Sequence, residues 1–105
     1  MADPKECELQ IPASVYGDPN PRELFRAWAA HEELHVIFNP RFWDDPTDWG
    51  VFLVDIANHV ANAYEQENIC SAKAALAKIK SGFDVEWHHP HHGTTAPAPK
   101  AGEGN

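Results

Sequence analysis

The sequence predicts a small α+β domain in which strand, helix, strand, helix and helix follow one another, a short two-stranded sheet packed by three helices. Three observations carry that expectation. Residues from Trp43 to Asn68 show one long helical periodicity with a defined start. Leu34-His35-Val36-Ile37-Phe38 is a short run rich in β-branched and aromatic residues, the composition of a strand. The stretch after Asn68 is rich in alanine and lysine, which favours a helix.

The central helix has the clearest signals. Asp45 is a good N-cap, since its carboxylate can accept from amides of the first turn. Pro46 then falls at the first helical position, where a missing N–H costs nothing. Asp48 adds negative charge at the positive end of the helix dipole. Trp49, Phe52, Leu53, Ile56, Val60 and Tyr64 recur at helical spacing and gather on one stripe, with Asp55, Asn58, Asn62 and Glu65 opposite. Val51 and Val54 break that partition and call for a second element or a second subunit over the polar flank.

Ahead of it, Glu8-Leu9-Gln10-Ile11-Pro12 alternates polar and apolar residues and reads as a short strand. Gly17, Asp18-Pro19 and Asn20-Pro21 are turn chemistry. Asn20, Pro21 and Glu23 then imitate a capped helix start, predicting a helix from Pro21 to about His31 that buries Leu24, Phe25 and Trp28. In the strand that follows, Leu34, Val36 and Phe38 point one way, and His35 and Ile37 the other. Phe42 and Trp43 lead into the central helix and are expected against the core. Ile69, Ala72, Leu76, Ile79 and Phe83 keep helical spacing toward Trp87, across Gly82. Two strands joined through a helix would pair parallel. Residues 1–6 are polar and expected to be loose, 7–87 to form one globular domain, and the His-, Pro- and Gly-rich residues 88–105 to be a disordered tail.

The balance of eight Lys and Arg against sixteen Asp and Glu gives a formal net charge of −8. That argues against nucleic acid, whose phosphates need cationic partners, and against an anionic membrane surface. No apolar run reaches spanning length, and no basic-then-apolar leader pattern opens the chain. The expectation is a soluble, cytoplasmic protein. Cys7 and Cys70 stand in no metal or redox spacing and read as two free thiols.

The leading Glu8-Leu9-Gln10-Ile11-Pro12, Arg26-Ala27-Trp28 with Leu34-His35-Val36, Trp43-Asp44-Asp45-Pro46 with Trp49-Gly50, Asp55 to Ala61, and Phe83-Asp84 with Glu86-Trp87 resemble a family of short bacterial proteins, domain of unknown function 5076. The likeness covers roughly Glu8 to Trp87. It implies no enzymatic activity and no catalytic residues, and the His-rich tail lies outside it.

Asp55 and His59 are four apart on the central helix, so their side chains can meet. They could form a carboxylate-oriented imidazole for base catalysis or ligand binding, against the commoner reading of a surface ion pair. His35 could line a cleft shared between two copies, and His31 suits a helix C-terminus. Asp44, Asp45 and Asp48 are explained by helix capping rather than by calcium, which needs more oxygen ligands. His88, His89, His91 and His92 could bind zinc, nickel or copper weakly, though a disordered ligand set must be ordered on binding.

No catalytic set is legible and no resident cofactor is expected. An apolar strand edge without lysine or proline invites pairing with another copy. The preferred reading is therefore a non-enzymatic interaction or regulatory module that forms a homodimer, whose sheet could extend across the dimer, with some other protein as partner. Metal handling through the tail, and a ligand site at Asp55 and His59, are the alternatives.

Overall fold

The structure, a computed structural model, describes residues 2–90. They gather into two compact units that divide after Asn39. The class is α+β, as expected: one two-stranded sheet and two α-helices. The element order differs. The first unit carries short 3-10 turns at Pro4–Cys7 and Ala13–Val15, then strands β1 (Phe25–Ala30) and β2 (Glu33–Phe38). The second carries α1 (Thr47–Gln66) and α2 (Ala72–His88).

Two expectations in the first unit are overturned. The segment Glu8–Pro12 is not a strand, and the helix expected from Pro21 to His31 is instead β1. The strands consequently form an antiparallel hairpin rather than a parallel pair. The reason lies at the turn. His31 and Glu32 both adopt left-handed backbone, with φ of 55° and 59°. That is the mirror-image turn whose twist matches a two-residue hairpin, a conformation normally supplied by Asn-Gly. No glycine announces it here, and the alanines of Phe25–Ala30 favour helix when read alone. Tertiary pairing with a strong strand former, Leu34–Phe38, overrides that preference.

The register sets Phe25 opposite Phe38, Ala27 opposite Val36 and Ala29 opposite Leu34. Facing residues share a side of a sheet, so these six make one wholly apolar face. Arg26, Trp28, Ala30, Glu33, His35 and Ile37 make the other. The Phe25 and Phe38 rings lie 6.2 Å apart. On the second face Arg26 is held by Glu23 at 2.7 Å and Glu8 at 3.0 Å, which ties the N-terminal segment to β1.

In the second unit the Asp45 carboxylate accepts from the Thr47 amide at 2.9 Å, and Pro46 has helical dihedrals. The helix therefore begins within one residue of the expected start, at Thr47 with Pro46 at the cap position. Hydrogen bonding to Thr47 holds the Asp45 carboxyl below its usual range. At the other end Asn68 turns left-handed, the Asn68 amide donates to Glu65 O and the Ile69 amide to Tyr64 O, both at 3.0 Å. This is the Schellman closure that ends many helices. α2 starts three residues later than the periodicity suggested, with Ser71 Oγ accepting from Ala74 N at 3.1 Å and the Glu65 carboxylate from Ala72 N at 2.8 Å. One side chain of α1 thus caps the next helix.

Phe42, Trp43, Trp49 and Phe52 interlock at the start of α1, with ring separations of 4.9 Å for Phe42–Trp43 and 5.0 Å for Trp43–Trp49. Farther along, α1 and α2 meet through small residues. Ala61 and Ala75 are 2% and 4% exposed and are the only buried hydrophobic residues among those described. The expected stripe is displaced by this contact: Leu53, Ile56, Val60 and Tyr64 remain 40–51% exposed. Small alanine side chains on the flank of the stripe are the ones that become fully buried, and the larger side chains stay half-exposed. Val51 and Val54 also stand out in the open, which fits their place off the stripe.

Candidate functional site

The residues singled out by the sequence fall in different units. Asp55 and His59 face each other across one turn of α1, Oδ2 to Nε2 3.8 Å, with side chains 72% and 74% exposed. Among the described residues neither meets a third polar group that would orient the imidazole. His35 belongs to the other unit. Its Nε2 donates to Ala30 O at 3.0 Å, and its ring meets His31 edge-on at 6.1 Å. The pair stabilises the hairpin turn. His31 therefore sits in a turn and not at a helix end, which corrects its expected role.

The histidines at the end of the chain divide. His88 closes α2, its Nδ1 donating to Asp84 O at 2.7 Å, and His89 follows as the C-cap. His91 and His92 lie outside the described residues, as does most of the segment expected to be disordered. Among the described residues no group of three His, Cys, Asp or Glu side chains could hold a metal ion. Asp44, Asp45 and Asp48 are no exception, and Asp45 acts as the cap expected of it. Cys7 and Cys70 are free thiols. No helix among the described residues is long and apolar enough to cross a membrane.

An open depression of about 370 Å³ lies at the open end of the hairpin, lined by Glu23, Leu24, Phe25, Arg26, Ile37, Phe38 and Asn39. Its cation is already engaged: Arg26 Nε and Nη2 donate to the two oxygens of Glu23, and Nη1 donates to Glu8. The bidentate contact pulls the Glu23 carboxyl down and raises Arg26. The cluster is not legible in the sequence, because the local pattern puts Glu23 and Arg26 on one helix turn and Glu8 in a separate strand. None of Asp55, His59 and His35 lines the depression.

What the two units do present is apolar surface. On the hairpin, Phe25, Leu34, Val36 and Phe38 are 39–46% exposed, all on the same face. On α2, Phe83 and Trp87 stack at 5.5 Å with both rings exposed.

A family model described as domain of unknown function (DUF5076) matches residues 8–91. The chain belongs to that family. A solved structure described as that of "a putative pyruvate dehydrogenase from the photosynthetic bacterium Rhodopseudomonas palustrus CGA009" is 32% identical, with a TM-score of 0.63 over 89% of this chain and 95% of that one. No curated protein is a significant match. The DUF5076 match extends past Trp87 and takes in the whole hairpin and both helices, so the apolar faces belong to the shared domain.

Proposed function

We propose that this DUF5076 chain is a small, non-enzymatic interaction module of the bacterial cytoplasm that works as a homodimer. The observation that carries the reading is the apolar hairpin face. Whole aromatic side chains present about 150–250 Å², so the exposed parts of Phe25, Leu34, Val36 and Phe38 leave on the order of 300 Å² on one side of a two-stranded sheet. In the second unit, the exposed parts of the α1 stripe residues Leu53, Ile56, Val60 and Tyr64 leave a separate apolar surface on the order of 300 Å² by the same reckoning. Among the described residues Ala61 and Ala75 alone are fully buried hydrophobics, a small core for a chain that must offset its ordering entropy.

An enzymatic reading has less support. Catalysis needs a concave site with converging polar groups. Asp55 and His59 stand open to solvent, and His35 is engaged at a turn. The activity in the neighbour's description stays with that protein.

Sedimentation equilibrium on the full chain tests the reading. The expected mass is twice 11.7 kDa, and a monomer throughout the micromolar range would overturn it.

A further inference from the structure

Resting on that self-association, we propose that β2 is the seam: the outer edge of β2 pairs antiparallel with β2 of a second copy, with Val36 opposite Val36 on the two-fold axis.

The argument begins with the hairpin. A two-residue turn makes Ala30 and Glu33 a mutually hydrogen-bonded pair. Antiparallel pairing then alternates, so Trp28 with His35 and Arg26 with Ile37 are bonded in the same way. The backbone groups of Leu34 and Val36 consequently point away from β1, along the outer edge. The sheet has two strands, β1 and β2, and such a ribbon is marginal until a further strand or layer joins it.

The choice of edge follows from charge. Two copies of a chain with net charge −8 repel except where charge is absent. Leu34 to Phe38 carries no carboxylate, lysine or arginine, and no proline interrupts it. The opposite edge belongs to β1, whose Arg26 gathers Glu8 and Glu23 beside it. Devices that protect an edge strand are therefore missing from β2.

The choice of a second copy as occupant follows from the order of residues. Antiparallel pairing about Val36 sets Leu34 against Phe38 of the other copy and His35 against Ile37. Residues on the apolar face meet only apolar residues, and no like charges are opposed. Two separate apolar faces then become one continuous face on four strands, on the order of 600 Å² by the reckoning above. A heterologous strand has no such built-in match. The two-fold arrangement is self-limiting, because each copy uses its one uncharged edge in the pairing.

The test is disulfide trapping at the axis. In a Cys7→Ser/Cys70→Ser background, Val36→Cys places two thiols across a hydrogen-bonded antiparallel pair, where Cα atoms stand about 5.5 Å apart, within disulfide range. Mild oxidation is expected to give a covalent dimer from Val36→Cys and none from Ala29→Cys on β1. Independently, Val36→Lys sets two ammonium groups against each other on the axis and is expected to weaken dimerisation about tenfold or more by sedimentation, with far-UV circular dichroism retained. Equal trapping at Ala29, or absence of trapping at Val36 in a protein that still sediments as a dimer, would overturn the seam and leave self-association standing. A wild-type monomer would remove both.

Discussion

His35 Nε2 donates to the carbonyl of Ala30 at 3.0 Å, so the first side chain able to reach back over the hairpin turn closes it. The two residues at its apex, His31 and Glu32, hold left-handed backbone that non-glycine residues adopt at a cost of about 1–2 kcal/mol each. The paired substitutions His31→Asn and Glu32→Gly relieve that cost, against the extra freedom glycine has in the unfolded chain. The double variant should gain roughly 0.5–1 kcal/mol in urea unfolding. A loss of stability would mean that the His31–His35 ring contact outweighs backbone relief.

This turn also marks where the sequence was hard to read. The long helix was legible because several signals agree: Asp45, Pro46, Asp48 and the periodic stripe all place its start and face. Phe25–Ala30 carries a local helical preference, a false capping pattern at Asn20-Pro21-Glu23 and a turn without glycine, and only its pairing with Leu34–Phe38 decides the outcome. Periodicity finds the stripe Leu53, Ile56, Val60 and Tyr64 but does not foresee that Ala61 and Ala75 are the residues that become fully buried. Which apolar side of a helix meets its neighbour depends on how near two backbones can come, and hydrophobicity alone does not encode that. The Asp55–His59 pair was found from its spacing. Its openness to solvent is a tertiary property.

Asp45 gives a pH-dependent prediction. Its carboxyl is held low by the Thr47 amide, so its contribution is whole above the ordinary carboxylate value. That contribution disappears as pH falls through the depressed value. Asp45→Ala should melt a few degrees below wild type at pH 7, and the gap should narrow on acidification toward pH 3. Asp45→Asn, still a good cap, should stay closer to wild type. Thermal melts across that range check both, and a gap that widens in acid would contradict the assigned role.

Asn68 carries the Schellman closure with a φ of 60°. Asparagine tolerates this conformation, glycine adopts it without strain, and alanine does neither. Asn68→Ala should cost about 1 kcal/mol, and Asn68→Gly should be neutral or slightly stabilising. Urea unfolding of the pair distinguishes a backbone requirement, which glycine satisfies, from a side-chain requirement, which it does not.

Ala61 on α1 and Ala75 on α2 are 2% and 4% exposed, so a larger side chain at either must displace its surroundings. Ala61→Leu should destabilise by about 1–3 kcal/mol through overpacking. By contrast, Asp55→Ala on the open flank should change stability by less than about 0.5 kcal/mol. An effect at Asp55 as large as that at Ala61 would show the ion pair meeting a partner.

Folding and association should be a single event. The described chain leaves most of its large apolar residues at least partly exposed, and a two-stranded ribbon is marginal until a further strand joins it, so pairing at the β2 edge should supply stability that one chain lacks. A ligand that binds the folded form alone raises Tm by mass action, and here the ligand is another copy. Tm should therefore rise with protein concentration, by several degrees over a hundredfold range. Val36→Lys should flatten that dependence and lower Tm most at the concentrated end. Differential scanning calorimetry at both ends of the range measures it. A Tm independent of concentration in wild type would mean that one chain covers its own apolar faces.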